Sequence, residues 1–209
     1  MLRHPQGPGH GVRGTMRDLI FRTAQQGDVA DLAILADMAT RGLMSHLWGL
    51  AAVPGQSAFE VGRTALLTQS DHYIFFRNWC IVEVGGAVAG ALNCYVIPEA
   101  SAASTDAPEA LRPLDELKAL IPGCYYIAMV ALYPTAQGQG LGKIVLEEAA
   151  ASARAAGCSE MALLVGSANT RARNLYQAFG FSDRATRPFV PFPGSDLPGD
   201  WILMHKSLS

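Results

Sequence analysis

The stretch YPTAQGQGLGKIVLEEA, Tyr133 to Ala149, sets Gly138, Gly140 and Gly142 directly before a run of helix-forming composition. Fixing a glycine costs backbone entropy, so such a cluster marks a tight turn or a backbone that a ligand approaches closely. Spacing separates the phosphate-binding patterns. A Walker loop needs Ser or Thr after its lysine to hold magnesium, whereas Lys143 is followed by Ile144. The dinucleotide fingerprint needs a glycine where Lys143 stands and an acid closing a strand downstream, and neither is present. What remains is Gln137-Gly138-Gln139-Gly140-Leu141-Gly142, joining an apolar strand to a helix N-terminus. There, unpaired N–H groups and the helix dipole favour a pyrophosphate, and Gln137 and Lys143 add donors.

The elements that must position this loop are legible on both sides of it. DLIFRTA reads as a strand, and GDVADLAILADMATRGL carries Val29, Leu32, Ala33 and Ala36 at helical spacing behind Asp28 as a cap. Ser57 to Thr68 reads as a second helix. NWCIVEVGGAVAGALNCYVIP then reads as two strands turning at Gly85-Gly86. From residue 98 to 122 the composition shifts to Ala, Ser, Pro and acids, an insertion with a helical piece around Leu114 to Leu120. CYYIAMVALYP, the Ala-rich helix after the glycines and SEMALLV make strand, helix, strand, which implies a right-handed parallel crossover. NTRARNLYQAFGF gives one more helix, stopped at Gly180, and the Pro-rich loop RPFVPFPGSDLPGD separates it from a last strand, WILMHKSL. The expected fold class is α/β, a mixed sheet flanked by helices in one domain over residues 17–209. Residues 1–16, rich in Gly, Pro and Arg, read as a loose tail, so that Met16 competes with Met1 as the start.

Half of the 209 residues are hydrophobic, enough for one core, and the net charge of −2 leaves no footprint for nucleic acid or an anionic membrane. The four cysteines and five histidines show neither CxxC nor HExxH spacing, so buried thiols are expected and no metal. With no long apolar segment and no secretory h-region, the chain reads as soluble and cytoplasmic.

In two segments the chain resembles the GNAT (GCN5-related N-acetyltransferase) family. Its signature of Arg or Gln, two residues, Gly, one residue, Gly or Ala is matched by Gln137, Gly140 and Gly142, after the lead-in VALYP. A second family segment is matched by Asn169, Ala172, Leu175, Tyr176, Gly180 and Phe181, and the order of elements agrees from Asp18 to Leu208. The resemblance implies a sheet splayed between two parallel strands with acetyl-CoA, as co-substrate, wedged between them. Val130, Ala131 and Leu132 would offer backbone groups to its pantetheine arm, and Gln137, Gly138, Gln139, Gly140, Leu141, Gly142 and Lys143 would cradle its pyrophosphate. Asn169 would contact the arm, and Tyr176 would protonate the departing thiolate. Asn169 also reads as a helix N-cap, and Tyr176 also lies on an apolar stripe where a core tyrosine belongs.

The implied reaction is transfer of acetyl to a small-molecule or peptide amine by direct attack in a ternary complex. The family position for a glutamate base is Leu164 here, and Cys124 to Pro134 holds no carboxylate. Glu83, Asp115, Glu116, His46 and His72 remain as bases, beside a relay through water. A silent acyl-CoA-binding module of the same fold is the alternative. Glu99, Asp106, Glu109, Asp115 and Glu116 against Arg112 and Lys118 give the insertion an acidic excess that would suit a cationic amine or be a solvated surface. Phe189 or Phe192, with side chains around Leu114 to Leu117, would line the acceptor pocket. The resemblance also allows a homodimer paired through the C-terminal strands.

Overall fold

The computed structural model describes residues 18–99, 107–195 and 199–208. The tail expected over residues 1–16, the middle of the insertion with Asp106, and Pro198 lie outside them. Seven strands form one sheet: β1 (Leu19–Thr23), β2 (Trp79–Val84), β3 (Ala87–Val96), β4 (Tyr125–Leu132), β5 (Glu160–Gly166), β6 (Ser182–Pro188) and β7 (Asp200–Ser207). Their order is β1-β2-β3-β4-β5-β7-β6, and every pairing is antiparallel except β4 with β5. The helices are α1 (Val29–Thr40), α2 (Leu43–Leu50), α3 (Ala58–Thr68), α4 (Arg112–Lys118), α5 (Leu141–Ala155) and α6 (Thr170–Ala178).

Strand alternation sends side chains to opposite faces of the sheet and so divides the core. On β2, Trp79 and Ile81 pack with Leu32 and Leu35 of α1 and Leu66 of α3, whereas Val82 packs with Val145 and Leu146 of α5. On β5, Met161, Leu163 and Val165 join the α5 layer, and Ala162 joins Tyr126, Leu117 and Leu203 opposite. The Ala-rich sequence of α5 suits this layer because Leu141, Val145, Ala149 and Ala153, four residues apart, stack along one buried face.

Two elements were not legible in the sequence. The helix α2 starts immediately after α1 ends at Arg41 (φ 54°) and Gly42 (φ 90°), so its apolar residues read as a continuation of α1. The strand β6, SDRATRP, is an edge strand with mostly exposed side chains and so carries no apolar alternation. Asp28, expected as the cap of α1, does something else. Its carboxylate accepts the Gln25 N–H at 2.7 Å, closing a 3-10 turn, and takes two hydrogen bonds from Arg22 of β1 at 2.7 and 2.9 Å. The insertion helix runs over 112–118 rather than 114–120, because Pro113 sits in its first turn, where a missing N–H costs nothing. Among the described residues, no helix is long and apolar enough to cross a membrane.

Candidate functional site

The site begins with one extra residue in β4. Asn93 pairs with Met129 but Cys94 pairs with Ile127, so Ala128 is bulged out of the ladder. A bulge bends its strand. Pairing with β5 covers only Tyr125 to Ile127 against Met161 to Leu163 and stops at the bulge. Beyond it β4 and β5 part, and the gap forms a cavity of about 460 Å³.

Backbone groups of β4 edge this gap in alternation. Tyr133 N–H donates to the Ala89 carbonyl at 2.8 Å, and alternate residues of an antiparallel strand address the same neighbour. Ala131 therefore also turns its N–H and C=O to β3, in agreement with a Cβ at Gly90 colliding with the Ala131 carbonyl. This corrects the expectation that Ala131 offers backbone groups, and leaves Val130 and the N–H of Leu132 to do so, since the Leu132 carbonyl accepts from the Gln137 amide. All three residues line the cavity.

At its far end the gap meets the glycine loop. Gly138 (φ 77°) and Gly140 (φ 81°) take the left-handed conformation, and nothing stands within 4 Å of a Cβ at either, so their glycines answer a backbone need rather than a packing one. Gln137 N–H bonds the Pro134 carbonyl and Lys143 N–H the Gly140 carbonyl, and between them the N–H groups of residues 138 to 142 have no acceptor among the described residues. Successive unpaired N–H groups before a helix make an anion-binding nest. Gly142 has a different reason to be glycine: a Cβ there would stand 2.8 Å from Leu175 Cδ2, holding α5 off α6.

Of the residues singled out in the sequence, Gln137, Gly138, Gly140, Gly142, Lys143, Asn169 and Tyr176 line the cavity together. Gln139 and Leu141 do not: Gln139 is exposed with its amide donating to the Thr135 carbonyl at 2.8 Å, and Leu141 is buried in the α5 core. Their contribution is limited to their N–H groups. The Gln137 side chain is likewise committed internally, donating to the Leu132 carbonyl at 2.8 Å and accepting from Arg171 at 2.8 Å. Asn169 caps α6, its Oδ1 accepting the Ala172 N–H at 3.3 Å, and faces the cavity as well.

Tyr176 is 8% exposed and rests edge-on against Phe181. Burial alone pushes its hydroxyl up to about 12, with no hydrogen bond or charge from the described residues contributing. Sequence reasoning missed Arg41, Arg171 and Asp200, which also line the cavity. Arg41 and Asp200 sit where helix and strand boundaries had not been resolved, and Arg171 looked like one more solvated helix residue.

A second cavity, of about 300 Å³, lies on the α2 side and shares Ala39, Leu164 and Trp201 with the first. Leu164 thus stands at the junction where a base was sought and supplies none. The other base candidates are engaged elsewhere: Glu83 with Arg22 at 2.8 Å, Asp115 with Lys118 at 2.6 Å, Glu116 with Arg187 at 2.6 Å, and His46 stacked on Phe192. His72 lines the second cavity and is held below its ordinary value by burial and the neighbouring Lys118. Asp200 is the one carboxylate lining either cavity among the described residues. Phe189 lines the first cavity and Leu114 the second, but Phe192 packs with Leu43 and Ala110, and Leu117 is fully buried. Burial raises the thiols of Cys80 and Cys124 to about 11, which makes both poor nucleophiles. No group of three His, Cys, Asp or Glu among the described residues could hold a metal ion.

A mixed sheet wedged open between two parallel strands, with a glycine nest closing the wedge, is the architecture of the acyl-CoA N-acyltransferases. The chain belongs to the acetyltransferase (GNAT) family, whose model matches residues 54–181. Its fold is similar to that of an acetyltransferase crystal structure (TM-score 0.61, 18% identity, covering 91% of this chain and 100% of that one). It is also similar to spermidine N-acetyltransferase from Vibrio cholerae in complex with CoA and spermine (TM-score 0.58, 17% identity, 91% and 96% covered). YncA from Salmonella typhimurium with its cofactor acetyl-CoA is similar too (TM-score 0.55, 20% identity, 92% and 95% covered). No curated protein matches the chain.

Proposed function

We propose that this chain transfers the acetyl group of acetyl-CoA to a primary amine by direct attack in a ternary complex. The observation that carries the reading is the make-up of the site: an N–H nest, the β4 edge at Val130 and Leu132 and the buried Tyr176 line one gap, which shares Ala39, Leu164 and Trp201 with a second cavity. The residues suit acetyl-CoA. The five N–H groups of 138 to 142, with Arg41, Lys143 and Arg171 around the same cavity, fit a pyrophosphate, and Val130 and Leu132 fit an amide-bearing arm laid along β4 as an added strand.

Acetyl-CoA supplies an activated acyl carbonyl. An N–H of Val130 or Leu132 stabilises the negative charge that develops on the acyl oxygen as the amine nitrogen attacks. Tyr176 donates a hydrogen bond to the departing sulfur as the C–N bond forms and the C–S bond breaks, keeping its own proton, and the thiolate released takes its proton from water. The proton lost by the amine leaves through water or Asp200. The test is release of free CoA thiol from acetyl-CoA by the purified chain, with and without a panel of primary amines. Amine-dependent release supports the enzyme. Acetyl-CoA binding without release would return the chain to a silent acyl-CoA-binding module.

A further inference from the structure

Resting on that reading, we propose that the second cavity takes a monoamine carried on an aromatic or apolar body and discriminates against polyamines. Its walls are mostly rings and alkyl groups, with Thr40, Gln69, His72 and Lys118 as the polar side chains outside the tyrosines. Tyr73 and Tyr95 stack with centroids 4.9 Å apart, Tyr95 meets Tyr126 edge-on at 5.5 Å, and Trp48, Trp201 and Leu114 are among the other lining residues. A volume of about 300 Å³ suits one substituted ring.

The charges argue the same way. Lys118 is the one ionic side chain lining this cavity among the described residues, and Asp115 holds it at 2.6 Å. His72, the other titratable base, is made harder to protonate by burial and by that same lysine. Neither Asp115 nor Glu116 of the insertion lines the cavity: both are held in ion pairs, with Lys118 and Arg187, and Asp115 acts on Tyr73, Tyr95 and Tyr126 only through its charge. An ammonium loses hydration on entry, and each further ammonium of a polyamine needs a carboxylate or carbonyl to replace it. A ring face can hold one cation, and no carboxylate lines the cavity among the described residues to hold a second.

The hydroxyls of Tyr73, Tyr95 and Tyr126 receive no hydrogen bond from the described residues, and desolvation keeps all three protonated. They are neutral donors and acceptors, fit for a single polar substituent on the ring rather than for multiple charges.

The experiment compares kcat/KM for 2-phenylethylamine and tyramine with that for spermidine and spermine, at saturating acetyl-CoA, by thiol release. The aromatic monoamines are expected to lead by about tenfold or more. Polyamines equal or better would overturn this inference and leave acetyl transfer standing, whereas no turnover with any amine would overturn both. Gln69→Glu provides a near-isosteric second arm, because Gln69 is exposed at the end of α3 and lines the cavity. The new carboxylate is expected to move the kcat/KM ratio toward spermidine by about tenfold with acetyl-CoA affinity unchanged. An unmoved ratio in this variant would count against the cavity as the acceptor seat.

Discussion

Replacing Tyr176 by Phe removes one oxygen from a ring that is 8% exposed and leaves its edge contact with Phe181 in place. No hydrogen bond from the described residues is lost with it. The stability change is therefore expected within about 1 kcal/mol. The kinetic cost follows from the position of the hydroxyl. At about 12 it keeps its proton throughout the neutral range, yet it is a weaker acid than a thiol of about 8.5, so full transfer to sulfur is uphill by about 4–5 kcal/mol. Its main contribution is then a hydrogen bond to charge developing on sulfur, worth about 1.5–3 kcal/mol. That is a ten- to hundredfold fall in kcat, roughly. Thiol release gives the rate, and calorimetry should find acetyl-CoA affinity changed by less than about threefold. Because the proton is retained up to about 12, kcat should show no alkaline fall from this group below about pH 10. Turnover within about twofold of the parent would refute the role, and so would an alkaline limb near pH 8 that disappears in the variant.

Gly140→Val forces a β-branched side chain into a φ of 81° with no clash to relieve. Acetyl-CoA affinity by calorimetry is expected to fall about tenfold or more, with Tm lowered by the backbone strain, and unchanged affinity in the folded variant would remove the loop from the site. Phe192→Ala empties a buried cluster with Leu43 and Ala110 and should cost about 3–4 kcal/mol in urea unfolding. Phe189→Ala, at the cavity wall, should instead change kinetics more than stability, and the reverse pattern would interchange the two assignments. Arg22 holds the Asp28 carboxylate below its usual range, so the stability this pair contributes is present above that range and lost as pH falls through the lowered value. Asp28→Asn should cost about 1–3 kcal/mol at pH 7 and flatten the loss of stability as pH falls below the ordinary carboxylate range. An acid profile parallel to the parent's would contradict this.

The glycine loop between the strand β4 and the helix α5 was legible in the sequence because glycine spacing, apolar runs and helix-forming composition are all local chain properties. Which individual groups face the gap depends on register instead. Ala131 and Val130 are both apolar, and only the Tyr133–Ala89 hydrogen bond tells which of them turns its backbone to β3. Gln137 was legible as a loop residue but not as a tie between the Leu132 carbonyl and Arg171, a contact between residues 34 apart in sequence. The bulge at Ala128 that opens the sheet leaves no mark in YYIAMVAL, since inserting a small apolar residue into an apolar run changes neither composition nor period. Asp200 was hidden at the end of a Pro-rich stretch, where its register with Pro188 and the bond of its carbonyl to the Ser167 N–H had no sequence signal.

The central claim is that the gap between β4 and β5 brings an activated acetyl group to an amine in the adjoining cavity. Incubating the purified chain with acetyl-CoA labelled with carbon-13 in its acetyl group and a primary amine, then quantifying labelled amide by mass spectrometry against thiol released, tests it most directly. Labelled amide equal to released CoA, with no label on the protein, is the result expected of direct transfer. Thiol release without labelled amide, or label retained covalently on the chain, would contradict it.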